Sequence, residues 1–264
     1  MYRERTFIEY LQDLRNKVFR IAISVGAVTA FCMTFSVSFF IFDGYKIPLP
    51  HPDPFNNIAT QVILVLKENL LPQNVNLIQI TPLGAFSTQI NVAAMLGVIL
   101  AMPIIVRELA AFIEPGLYQH EKAIARNFTA AATGLFVIGC LFSYYVVIPY
   151  VLNFLYKYGQ SIDISTFFDI GIFVPFIMQF MIISGLTYQL PIIMWIFTIS
   201  GMVEYKFWRQ KLRYAVIIIA IFGAIISPDG SGLAIWFAAG PMFLLYVIGM
   251  LVIEKKVKSI PRIY

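Results

Sequence analysis

The stretch AFSTQINVAAMLGVILAMPIIV, Ala85–Val106, holds no Asp, Glu, Lys, Arg or His over 22 residues and is followed at once by Arg107-Glu108. A helix rising about 1.5 Å per residue needs about 20 such residues to cross a hydrocarbon core of about 30 Å thick. The run therefore reads as a membrane span. The charge-free sequence begins earlier, at Asn69, but Leu71-Pro72 and Thr81-Pro82 are turn chemistry, so the span itself starts near Ala85.

The rest of the chain repeats the pattern. Charge-free runs also occur at Ile21–Phe42, Asn127–Tyr156, Ile170–Val203, Tyr214–Pro228 and Gly230–Ile253. Together they predict a single all-α, polytopic membrane domain over residues 1–264, with six spans at about 18–42, 85–106, 127–149, 171–199, 214–228 and 233–253. The fifth is short, about 22 Å at 1.5 Å per residue. The sixth contains Gly240-Pro241, which shortens its clean apolar run. Thinned lipid or burial against neighbouring helices would accommodate both; a re-entrant hairpin is the alternative, and it leaves the flanks on the same side. Composition agrees: 59% of residues are apolar and 12% charged, against about 45–50% and 25% in soluble domains. Soluble enzymes, disordered tails and coiled coils are excluded.

Orientation follows from Lys and Arg. With the amino terminus in the cytoplasm, sixteen of the 19 basic residues fall on the inner side, and only Lys46, Lys67 and Lys157 on the outer. That bias places both termini inside, in a cell (cytoplasmic) membrane. The net charge of +5 is then a consequence of topology, and no nucleic-acid partner is needed to explain it. The first apolar run is longer than a leader's 7–15-residue core and no small-x-small site follows it, so it reads as a retained span.

Reactive chemistry is not indicated. Cys32 and Cys140 lie apart in predicted spans and read as small buried residues. His51 and His120 fall on opposite sides of the membrane, so no shared metal site is expected. Phosphate-binding, zinc-binding and nucleophilic constellations are missing from the sequence, and no catalytic residue or cofactor is expected. The predicted span interiors carry amides (Gln89, Asn91, Gln179, Gln189, with Asn153 near a span end) but no carboxylate, Lys, Arg or His, which weakens an ion-coupled carrier.

Four features remain. Phe7, Leu11, Leu14 and Val18 recur at helical spacing, predicting an amphipathic helix over 3–17 at the membrane face or, equally, a basic anchor. Asp13 and Arg15 are too close to share a face. The inner loop 111–122, AFIEPGLYQHEK, offers Glu114 and Glu121, which either complement a helix dipole or form an acidic patch for a cationic ligand. In the fourth span Pro191 removes the bond to the Thr187 carbonyl and kinks the helix; Gln189 beside it either satisfies a freed backbone group or faces a groove. Ser227-Pro-Asp-Gly230 is a turn by residue type.

In order and position these segments resemble the TatC family, the multispanning receptor of the twin-arginine protein translocase. The resemblance rests on Leu11-Gln-Asp-Leu-Arg15, on Ala101-Met-Pro103 continuing through Phe112-Ile-Glu-Pro-Gly-Leu-Tyr118 to Glu121, on Gly139 to Tyr144 with Pro149, on Gly185 to Pro191, and on Pro228-Asp229. Asp13 stands where Glu is commoner, Tyr10 where His is frequent, and Lys122 where Arg is usual. The resemblance implies six helices forming a concave, cup-like wall that binds the paired arginines of signal peptides on folded cargo. It implies assembly with single-span TatA/TatB-like subunits into an oligomeric translocase, and transport driven by the proton-motive force. Two guanidinium groups are best met by carboxylates. Carried over, Glu121 is the leading signal-peptide residue, with Asp13, Phe112, Arg15 and Tyr118 beside it; Gln189, Pro191, Glu114 and Asp229 are groove or partner contacts. A channel or facilitator for small solutes is the alternative, which would predict inward polar rings or an internal repeat.

Overall fold

The computed structural model describes residues 7–42, 45–72, 75–113, 122–162, 167–199, 201–226 and 233–259. Most of them are helical, in two compact units: 1–133 with 152–179, and 134–151 with 180–264.

In the first unit, α1 (Phe7–Thr34) is one unbroken 28-residue helix, so the amphipathic segment and the first span are continuous. It ends eight residues before the expected Phe42. Phe35–Phe42 forms β1, paired antiparallel with β2 (Tyr45–Pro52) in the register Phe35↔Pro52 to Phe42↔Tyr45. The physical reason is in the sequence FSVSFFIF, which is rich in aromatic and β-branched residues that suit a pleated strand. Absence of charge alone does not separate strand from helix. Pro48, Pro50 and Pro52 alternate along β2. Lacking an N–H, they leave the ladder bonds to the residues between them and keep donors off the outer edge.

Next come α2 (Ile58–Leu70), β3 (Asn76–Ile78) and α3 (Gly84–Ile113). β3 pairs in parallel with β4 (Phe167–Asp169), so among the described residues two small sheets accompany the helices. α1 packs along α3, and Gly97 of α3 makes this possible: a Cβ there would stand 2.9 Å from the Val25 carbonyl oxygen of α1. A polar knot fastens the far end of these helices. Buried Asn57 caps α2 by accepting from the Thr60 N–H at 3.0 Å, and donates to the carbonyls of Met33 (2.7 Å) and Pro54 (3.0 Å). Gln61 reaches Ser36 Oγ at 2.9 Å and Gln89 reaches Thr60 Oγ1 at 2.9 Å.

The third apolar run forms α4 (Lys122–Phe142), a five-residue π-turn Ser143–Val147, and α5 (Ile148–Ser161). Helix thus continues well past Pro149, where the third span was expected to end. Pro149 has no N–H for the Tyr145 carbonyl, and the turn before it widens, with Ile148 N–H bonding Ser143 O. The fourth run divides into α6 (Ile170–Thr187) and α7 (Leu190–Ile199). Then follow α8 (Tyr205–Gln210), the 15-residue α9 (Leu212–Ile226) and α10 (Leu233–Ser259), which passes through Pro241 without a break.

In the second unit Met194, Ile219, Met242, Tyr246, Met250 and Ile253 form a buried core among α7, α9 and α10. Large apolar side chains are exposed elsewhere, among them Phe19, Leu100, Ile138, Ile217 and Phe222. Such surfaces are unstable in water and suit a hydrocarbon surround. Among the described residues, four helical stretches are long and apolar enough to cross a membrane: Leu11–Thr34, Gly84–Ala111, Thr129–Ser161 and Ile170–Ile199; Leu212–Ala224 is a shorter one.

Candidate functional site

Asp13 lies on the face of α1 that meets α3. Lys17, one helical turn on, places its ammonium 3.1 Å from Asp13 Oδ2 and donates to the Ala111 carbonyl at 2.6 Å. Ala111 belongs to the last turn of α3, where carbonyls lack helical donors and a cation complements the dipole. A carboxylate near the start of α1 is thereby fastened to the point from which the inner loop departs. One turn further along, Arg20 pairs with Glu108 at 3.7 Å. Asp13, Lys17 and Arg20 share one helix face.

Arg15 is exposed on α1, on a different face from Asp13, so these two are not brought together. Phe112 falls in the last turn of α3, with its side chain outside the described residues. Glu114, Tyr118, Glu121 and Asp229 also lie outside the described residues.

Lys17, Arg20 and Glu108 were missed by the sequence reading. Asp13–Lys17 has the i,i+4 spacing of a helical ion pair, a signal present in the sequence itself. Glu108 lies beyond the expected span end at Val106, whereas α3 continues to Ile113.

In the second unit the Gln189 region is explained by backbone bookkeeping. Gln189 N–H bonds Leu186 O at 3.0 Å instead of Gly185 O. Its side-chain amide takes up Gly185 O at 3.3 Å. Gln189 thus satisfies a backbone group freed at the break between α6 and α7, the first of the two roles open to it. Pro191 packs on α10, where a Cβ on Gly249 would lie 3.1 Å from Pro191 Cα.

The two motif glycines have a joint reason. A Cβ on Gly139 would stand 2.9 Å from both Gly185 Cα and Ser184 O; one on Gly185 would meet the Phe136 ring at 2.6 Å. Only hydrogen at both positions lets α4 and α6 approach so closely, as small residues commonly do between membrane helices. Among the described residues no group of three or more His, Cys, Asp or Glu could hold a metal ion.

The family described as Sec-independent protein translocase protein (TatC) matches residues 9–241. The chain belongs to the TatC family. It is 46% identical to the Sec-independent protein translocase protein TatC of Cenarchaeum symbiosum over 96% of both chains. It is 30% identical to the TatC protein of Campylobacter jejuni over 93% of this chain and 92% of that one. A crystal structure described as the twin-arginine translocase receptor TatC superposes with a TM-score of 0.77 at 24% identity, covering 94% of this chain and all of that one; it establishes the fold. The six-span TatC fold, with its membrane-embedded, multi-pass character, follows from these likenesses and the apolar helices. A TatC protein is a component of protein translocation.

Proposed function

We propose that this chain is the signal-peptide receptor of a twin-arginine translocase, embedded in the cytoplasmic membrane with both termini inside. On this reading Glu121 is the principal carboxylate for the arginine pair of folded cargo and Asp13 is the second. Phe112 and Tyr118 complete the surface, and Glu114 and Asp229 contact the groove or partners; Arg15, on another face of α1, and Gln189 and Pro191, engaged within the second unit, take no part in it. Single-span TatA/TatB-like subunits assemble with the chain, and the proton-motive force drives transport without any catalytic step on the chain itself.

One observation carries the reading: the Lys17 bridge, which holds Asp13 at the end of α3, three residues before the loop containing Glu114 and Glu121 begins. Family membership over residues 9–241 supports it. A guanidinium pair demands fixed carboxylates, because bidentate contacts lose their advantage when the acceptors are loosely held. The test is export of a folded reporter carrying a twin-arginine signal. Glu121→Ala abolishes export, and Asp13→Asn reduces it, while both variants insert at normal levels. Undiminished export by Glu121→Ala would remove the assignment.

A further inference from the structure

The basic side of the second unit contains a cleft of about 260 Å³ lined by Leu190, Phe207, Trp208, Lys211, Tyr214 and Ile218, with Tyr246 at its back. Its walls are held in place. Trp208 Nε1 donates to Thr198 Oγ1 at 2.9 Å, and Tyr246 donates its hydroxyl hydrogen to the Trp208 carbonyl at 2.8 Å, which fixes α8 to α7 and α10. Those bonds occupy the indole N–H and the Tyr246 hydroxyl proton, and the depth of the cleft is apolar.

Its mouth is cationic. Lys211 lines the cleft; Arg213, two residues on, stands like Lys211 5.2 Å from the Tyr214 centroid, and both are exposed. Two cations beside the rim tyrosine make that end of the cleft attractive to an anion. Ile218, exposed on α9, lies seven residues along from Lys211, roughly 10 Å further along the helix at about 1.5 Å per residue, so the charge sits at one end of the cleft and an apolar wall continues from it.

We propose that this cleft binds an anionic phospholipid of the inner leaflet, its phosphate on Lys211 and Arg213 and part of one acyl chain along Leu190, Phe207 and Ile218. The dimensions favour a lipid chain over a helix, which is about 10–12 Å across with its side chains. Tyrosine and tryptophan at the rim suit the headgroup level of a bilayer, and basic pockets between spans on this side attract anionic headgroups. The site rests on the proposed orientation, with both termini inside, and not on signal-peptide binding.

Trp208 supplies the probe. The full chain carrying Trp195→Phe and Trp236→Phe retains only that indole, and is reconstituted in phosphatidylcholine bilayers containing brominated-acyl phosphatidylglycerol or brominated-acyl phosphatidylcholine. The anionic lipid should quench Trp208 preferentially, with an apparent preference on the order of fivefold per cation engaged. Lys211→Gln with Arg213→Gln should equalise the two lipids, whereas Lys255→Gln with Lys256→Gln, which removes the same charge outside the cleft, should leave the preference in place. Equal quenching in the parent overturns the proposal. So does an equal loss in both double variants, which means surface potential alone, and so does protection from both lipids, which means that a protein segment fills the cleft. If the Lys211/Arg213 variant does not insert, native mass spectrometry of the parent from an equimolar lipid mixture reads the same point: retained phosphatidylglycerol supports the site, and equal retention overturns it.

Discussion

Replacing Gly139 by Ala tests the close crossing of α4 and α6. The added Cβ would lie 2.9 Å from Gly185 Cα and from Ser184 O. Both are backbone atoms, so no rotamer change relieves the clash and the helices must separate by several tenths of an ångström. Overpacking of this kind costs about 1–3 kcal/mol, and backbone contact on both sides puts Gly139→Ala in the upper half of that range. Alanine also gains about 1 kcal/mol of helix propensity over glycine, which a single variant would confound. Gly134 supplies the control: it lies on the same helix with nothing within 4 Å of its built Cβ. Gly134→Ala takes the propensity gain without the clash, so the difference between the two variants isolates packing. We expect Gly139→Ala to be less stable than Gly134→Ala by about 2–3 kcal/mol, measured by reversible unfolding in mixed micelles. A difference below about 0.5 kcal/mol would refute the crossing geometry, because the overpacking term would then be missing.

Other outcomes follow from the same contacts. Asn57→Ala removes a helix cap and leaves two carbonyls without their donor, so it should cost about 2–4 kcal/mol; a loss under 1 kcal/mol in the same unfolding assay would contradict the buried knot. Gln189→Leu leaves Gly185 O without its amide and should cost about 1–2 kcal/mol, while a stability equal to the parent would show that the amide bond is not needed. Lys17→Met should weaken twin-arginine peptide binding more than Arg20→Met does, because Lys17 bridges Asp13 and the Ala111 carbonyl whereas Arg20 pairs with Glu108; equal effects in a binding titration would reduce Lys17 to a general helix tie.

Much of the architecture was legible because lipid imposes one rule, the absence of charge over about 20 residues. That rule locates apolar stretches and says little about where a helix stops. It ran the first span to Phe42, although FSVSFFIF pairs as a strand, and it closed the second at Val106, although Arg107 and Glu108 continue α3 to Ile113. It also ended the third at Pro149, where a π-turn lets the helix continue. The glycines of the motifs could be named from sequence, but their cause could not, since Gly139 and Gly185 meet across 46 residues of chain. Gln189 was read with two open roles, and only the backbone pattern at the break assigns its amide to Gly185 O. The Asp13–Lys17 pair, by contrast, is legible in sequence, because its i,i+4 spacing needs only a helix to bring the two together.

The most direct test of the receptor account is equilibrium binding of a labelled twin-arginine signal peptide to the purified chain in detergent, beside a twin-lysine peptide and the Glu121→Ala variant. The account predicts that the arginine peptide binds preferentially and that the preference disappears in Glu121→Ala. Equal binding of the two peptides, or a preference that survives in Glu121→Ala, would contradict it.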